Sequence, residues 1–174
     1  MNRSSTIRFS LLAVLPVVVL GGCAAPRPPL PGGPTDDRTV EERVRAPSAG
    51  ADDQLQVYAV RNPAVAALDR QARQAERDGD PGRAEQLLER ALRIDPRDPE
   101  ILQLMAEIQL AQGRLEQAGG FAAQAWEHGP RVGEICERSL RTLMVVHERA
   151  GEYDKAWRAF EGLPKCRVAP PERF

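Results

Sequence analysis

Apolar residues beyond Asn62 recur three and four positions apart. Val65, Leu68, Ala72 and Ala75 form one stripe, and Ala84, Leu87, Leu88, Ala91 and Leu92 form a second. This spacing puts each set on one face of a helix. Asn62 can cap and Pro63 suits a first turn, so a helix is predicted from there to Gly79, and a second from about Pro81 to Ile94, ended by Pro96. The same scheme returns 34 residues later: Gly79 as Gly113, Ala84 as Ala118, Ala91 as Ala125 and Pro96 as Pro130. A fixed period of this length predicts an all-α solenoid of helical hairpins, each burying its apolar face against its neighbour.

A third unit is marked by Gly151-Glu152-Tyr153-Asp154-Lys155-Ala156, followed by Phe160 and Pro164. Its turn glycine lies 38 residues after Gly113, which predicts a longer or displaced first helix over about Gly133 to Ala150. With position 1 at Val65, residues Ala72, Gly79, Ala84, Leu88, Ala91 and Pro96 resemble the small, turn and large places of the tetratricopeptide repeat. The second unit begins at Pro99 and continues through Leu102, Ala106, Gly113, Ala118, Ala125 and Pro130. Ala122 departs from the pattern, since a larger side chain is expected there, and the neighbouring Phe121 is placed to fill the gap.

The resemblance implies a concave side lined by the first helix of each unit. It assigns Asp69, Arg73, Glu76 and Arg77 from the first unit, Gln103, Glu107 and Leu110 from the second, and Arg138, Arg141, Val145, Glu148 and Arg149 from the third. Together they imply a partner-binding groove of mixed charge. For any single one, a solvated helix face with local pairs, such as Glu76 with Arg73, is the plainer account. The Lys and Asn set of a chaperone-tail clamp is missing at Asp69, Arg73 and Leu104.

Ahead of the repeats, Arg3 and Arg8 precede an apolar run from Phe9 to Leu20, too short for a membrane span of roughly 20 residues and suited to a signal peptide. Leu20-Gly21-Gly22-Cys23 resembles a bacterial lipobox, which implies acylation of Cys23 and removal of residues 1–22. An ordinary secretory signal with an incidental Cys is the alternative. Ala24 stands where an inner-membrane retention signal would carry Asp, so the resemblance implies the outer membrane. From there to Pro63 the chain holds Pro26, Pro28, Pro29, Pro31, Pro34 and Pro47 with almost no apolar periodicity, and is expected to be a tether without secondary structure. Fully extended, about 40 residues reach roughly 130 to 140 Å. Gln54 to Val60 alternates weakly and reads as extended linker, with a short strand or a segment packed on the domain as alternatives. The expected organisation is therefore a signal peptide over 1–22, a lipidated tether over 23–63, a repeat domain over 64–164 and a tail over 165–174.

Charge adds little, with 24 basic against 25 acidic residues and only 5% aromatic content, so neither a basic field nor a stacking surface argues for nucleic acid. Once Cys23 is acylated, Cys136 and Cys166 remain as an even pair in an oxidising compartment. Antiparallel helices bring the start of one and the end of the next together, so a disulfide is expected, with two free thiols as the alternative. His147 is placed at an inward position and His128 near the end of the second unit, neither with ligands at metal spacing. No nucleophile set, phosphate loop or cofactor motif is present, and catalysis is not expected.

The order of lipobox, Pro-rich tether and short C-terminal repeat domain resembles lipoprotein activators of class A penicillin-binding proteins. That resemblance implies a periplasmic protein partner and stimulation of peptidoglycan synthesis by direct contact. The alternative is an assembly lipoprotein of the pilus and secretin type, which typically carries more repeats. Tyr153, Trp157 and Phe160 are candidates for an exposed apolar end, or for packing within the last hairpin.

Overall fold

The computed structural model describes residues 30, 38–46, 55–57 and 60–169. Residues 1–22, Cys23 and the last five residues, Phe174 included, lie outside the described residues. Among the described residues the regular elements are helical: α1 (Val40–Arg45), α2 (Pro63–Arg77), α3 (Pro81–Ile94), α4 (Pro99–Ala111), α5 (Leu115–His128), α6 (Glu134–Arg149) and α7 (Tyr153–Gly162), then a 3₁₀ turn, Leu163–Cys166. Helices α2/α3, α4/α5 and α6/α7 form three antiparallel hairpins stacked in chain order.

The recurring glycines have a common cause. Gly79, Gly113 and Gly151 have φ of 76°, 75° and 73°. Each sits just past the first helix of its hairpin, where the following amide bonds back five residues, Asp80 to Ala75, Arg114 to Gln109 and Glu152 to His147. This closure needs left-handed backbone, which glycine adopts without steric cost. The second helices start on side-chain or backbone caps; Asp80 accepts from the Arg83 amide, as Asn62 and Asp98 do at the starts of α2 and α4.

Val65, Leu68, Ala72, Ala84, Leu88, Ala91, Ile101 and Met105 pack into one core across the first three repeat helices. Helix α4 is buried from Ile101 through Leu110, as expected of a helix apolar nearly all round and covered by neighbours on every side. Ala122 is fully buried, and Phe121 packs onto the first core from the adjacent position. The offset of the third unit also resolves: α6 has 16 residues where α4 has 13, and the connection before α6 is one residue longer than that before α4.

The stretch expected to lack secondary structure contains α1. Thr39 accepts from the Glu42 amide while the Glu42 carboxylate accepts from the Thr39 amide, closing a capping box. Six residues are too few for a helix to persist alone, and this one is held by packing on α4 and α6. Val44 is fully buried in a second core with Leu110, Met144 and Val145, against which Leu30 also packs. The tail is corrected as well: the Leu55 amide donates to the Val168 carbonyl at 2.8 Å and the Glu134 amide to Gln56 Oε1 at 3.0 Å. Leu55–Val57 thus packs on the domain, and the chain through Val168 belongs to it.

Candidate functional site

Every second hairpin helix lies on the outside, which leaves α2, α4 and α6 to line one continuous groove. Several of the polar residues assigned to it, Asp69, Arg73, Glu76, Gln103, Glu107, Arg138, Arg141 and Glu148 among them, enter a set of ion pairs and hydrogen bonds, and the chain's own N-terminal segment lies across them. Arg43 pairs with Glu148, both almost fully buried. Arg45 reaches Glu107 at 2.5 Å through Nε and Glu76 at 2.7 Å through Nη2. Val44, between the two arginines, meets Val145 and Leu110. Arg141 donates to the Ala46 carbonyl and to Glu137 at 2.9 Å.

The groove's centre is Glu107, 3% exposed. Its Oε1 accepts from Arg138 at 2.6 and 2.9 Å and from Gln103 Nε2 at 2.8 Å, while Oε2 accepts from Arg45. Gln103 also donates to Thr142 Oγ1 at 2.8 Å, tying α4 to α6. Burial alone would raise the Glu107 carboxyl, but the guanidinium charges of Arg138 and Arg45 outweigh it and hold the group below the ordinary glutamate range. A buried carboxylate with two guanidinium partners is paired on both oxygens, which is the condition under which a charge survives in a dry interior.

At the first repeat, Arg61 plays the part that Arg43 and Arg45 play further along. It donates to Asp69 at 2.9 Å, Asp98 at 2.8 Å and Glu100 at 2.9 Å. Asp69 also accepts from Arg73 at 2.9 Å. Arg77 stays outside this network, exposed and bonded to Gln74, and Arg149 is likewise exposed. His147 is half-buried at the rim rather than in the core, its Nδ1 2.7 Å from the part-exposed carboxylate of Glu152.

Cys136 and Cys166 are joined, with Cα atoms 5.6 Å apart, tying the first turn of α6 to the 3₁₀ turn after α7. Tyr153 is exposed, and Trp157 and Phe160, half-buried, pack ring to ring within the last hairpin. Among the described residues no group of three or more His, Cys, Asp or Glu side chains is placed to hold a metal, and no helix is long and apolar enough to cross a membrane.

The residues that sequence reasoning missed are the arginines that fill the groove. Arg43, Arg45 and Arg61 stand in a Pro-rich region where isolated charges read as solvated. One signal was available for the first two: Thr39 followed three residues later by Glu42 is a capping-box pattern.

Three hairpins closed by left-handed glycines and spaced by small residues define a tetratricopeptide-repeat scaffold, and the tetratricopeptide repeat family model matches residues 75–135. Among solved structures, the chain is similar to the globular C-terminal domain of P. aeruginosa LpoP. Identity is 26%, covering 63% of this chain and 100% of that one, with a TM-score of 0.48. A search of curated proteins finds no significant match.

Proposed function

We propose that the chain is an outer-membrane lipoprotein, anchored through Cys23 and facing the periplasm, whose repeat domain binds and activates a class A penicillin-binding protein. The observation that carries this reading is the placing of a lipobox, Leu20-Gly21-Gly22-Cys23, ahead of a tetratricopeptide scaffold. A scaffold of this kind acts by presenting surface to other proteins, and multiple acyl chains are enough to hold it at a membrane where a single one is marginal. The same order of parts resembles the lipoprotein activators of wall synthesis.

In the resting chain the groove residues Asp69, Glu107, Arg141, Val145 and Glu148 hold the protein's own segment, and Arg138 is engaged by Glu107. A synthase therefore meets the outer faces of the hairpins first. The test is a lipid II polymerisation assay with the host's class A synthase and the full mature chain. Faster glycan polymerisation together with direct binding is expected; neither binding nor stimulation rejects the activator reading. Loss of secretin multimers on deletion, with wall synthesis unchanged, would support the assembly reading in its place.

A further inference from the structure

The outer face of the second and third hairpins carries a cleft with a defined chemistry. Helices α5 and α7 both pack on α6, and between them lies a cavity of about 540 Å³. Its floor is apolar, built by Leu140 and Leu143 of α6 with Ala159 of α7 and the buried Cys136. The rim is cationic. Arg131 lies over the Trp126 ring at 3.7 Å from its centroid and donates to the Trp126 carbonyl at 2.8 Å, so this wall is fixed before any partner arrives. Arg158 and Lys165 stand on the other side, both exposed and without an ion-pair partner among the described residues. Lys155 and His147 also line the cleft and share the carboxylate of Glu152. No Asp or Glu among the described residues lines it.

An apolar floor beneath a single-sign rim selects for the opposite sign around an apolar anchor. Guanidinium groups suit carboxylates, and an apolar-floored cavity of this size has room for more than one side chain of a bound segment, with an aromatic or leucine as its anchor. In the groove of α2, α4 and α6 the chain's own segment is docked and a smaller, polar cavity of about 230 Å³ remains beside it, whereas this cleft is larger and open. We infer that the cleft between α5 and α7 is a docking site for an acidic peptide segment of a partner protein, carrying an aromatic or leucine side chain among its carboxylates. The inference rests on the reading of the chain as a protein-binding scaffold and names the surface and the partner chemistry.

Random peptides displayed on phage and selected on the immobilised full chain test it without knowledge of the partner. Enrichment of sequences with acidic residues flanking an aromatic or leucine is expected. Their affinity should fall at least tenfold in R158E/K165E, whose far-UV circular dichroism should match the wild type because both side chains are exposed, and should be unchanged in R77A, on the opposite side of the repeats. Enrichment of neutral or basic peptides, no enriched family, or acidic peptides that bind R158E/K165E equally would each overturn the proposal. So would binding to phosphatidylglycerol vesicles that depends on Arg158 and Lys165 with no peptide selected. A synthase that ignores the wild-type chain would remove the activator reading and leave the peptide selection to decide the cleft on its own; a synthase stimulated equally by R158E/K165E would do the reverse.

Discussion

Glu107 is the residue on which the centre of the groove turns, because this nearly fully buried carboxylate answers both a repeat arginine, Arg138, and a tether arginine, Arg45. Replacing it by Ala leaves the nearly buried Arg138 with only the exposed Glu134 as an ion-pair partner among the described residues, a loss of about 3 kcal/mol, to be read as a shifted urea midpoint. Arg43→Ala, which removes the charge from the tether side, should instead release α1 with the repeats intact. The sign of the pH effect follows from the depressed Glu107 carboxyl. Its contribution is complete above the ordinary glutamate value and is lost as pH falls through the lower, folded-state value. Acid titration by circular dichroism should therefore show a transition below the ordinary glutamate range that E107Q lacks. Two glycines differ in the same local terms. A Cβ at Gly113 meets nothing within 4 Å, so Gly113→Ala costs about 1–2 kcal/mol for the left-handed backbone alone. At Gly133 a Cβ would lie 2.9 Å from Gln56 Oε1 and 3.2 Å from the Leu55 carbonyl, so Gly133→Ala should cost more and loosen residues 55–57 in particular, as hydrogen exchange would report.

At the scale of elements, the repeat helices were legible and α1 was not, for one physical reason. Gly79, Gly113 and Gly151 are required by backbone conformation, and Ala84, Ala118 and Ala156 by close approach of paired helices. Such demands are local and repeat with the unit, so they leave a period in the sequence. Helix α1 has no such internal demand. Its Arg43 and Arg45 are fixed by Glu148, Glu107 and Glu76, which lie 105, 62 and 31 residues away, and nothing in the local pattern records those partners. The groove was legible as a list of positions for the same reason that the hairpins were; its occupant was not. The disulfide tests how far the last hairpin depends on a single tie. Closing about 30 residues, it is worth roughly 3–4 kcal/mol in the chain-entropy model. Reduction should speed hydrogen exchange in α7 and the 3₁₀ turn while α2 and α3, whose core contains no residue of α6 or α7, keep their protection. Equal loosening of all three hairpins would show that the stack unfolds as one unit.

For the whole molecule, the groove decides how much chain is left over. A double variant, R43E/R45E, sets like charge against Glu148, Glu107 and Glu76 and should expel the segment. Small-angle X-ray scattering of the mature chain should then give a larger maximum dimension than the wild type; an unchanged dimension would mean that other contacts hold the segment.

Under the anchoring proposed for Cys23, the docked segment works as a take-up reel. Leu30 rests against the second core and α1 lies in the groove. Residues 47–54 are bracketed by two docked stretches and add nothing to the slack. Only seven residue steps then separate Cys23 from the domain, no more than about 25 Å. With Leu30 and α1 released and Leu55 still held by Val168, the chain from Cys23 spans at most about 105 to 115 Å. Whatever draws Arg43 and Arg45 from their glutamates therefore changes the radius within which the domain can work, by about fourfold, while the cores of the hairpins stay packed.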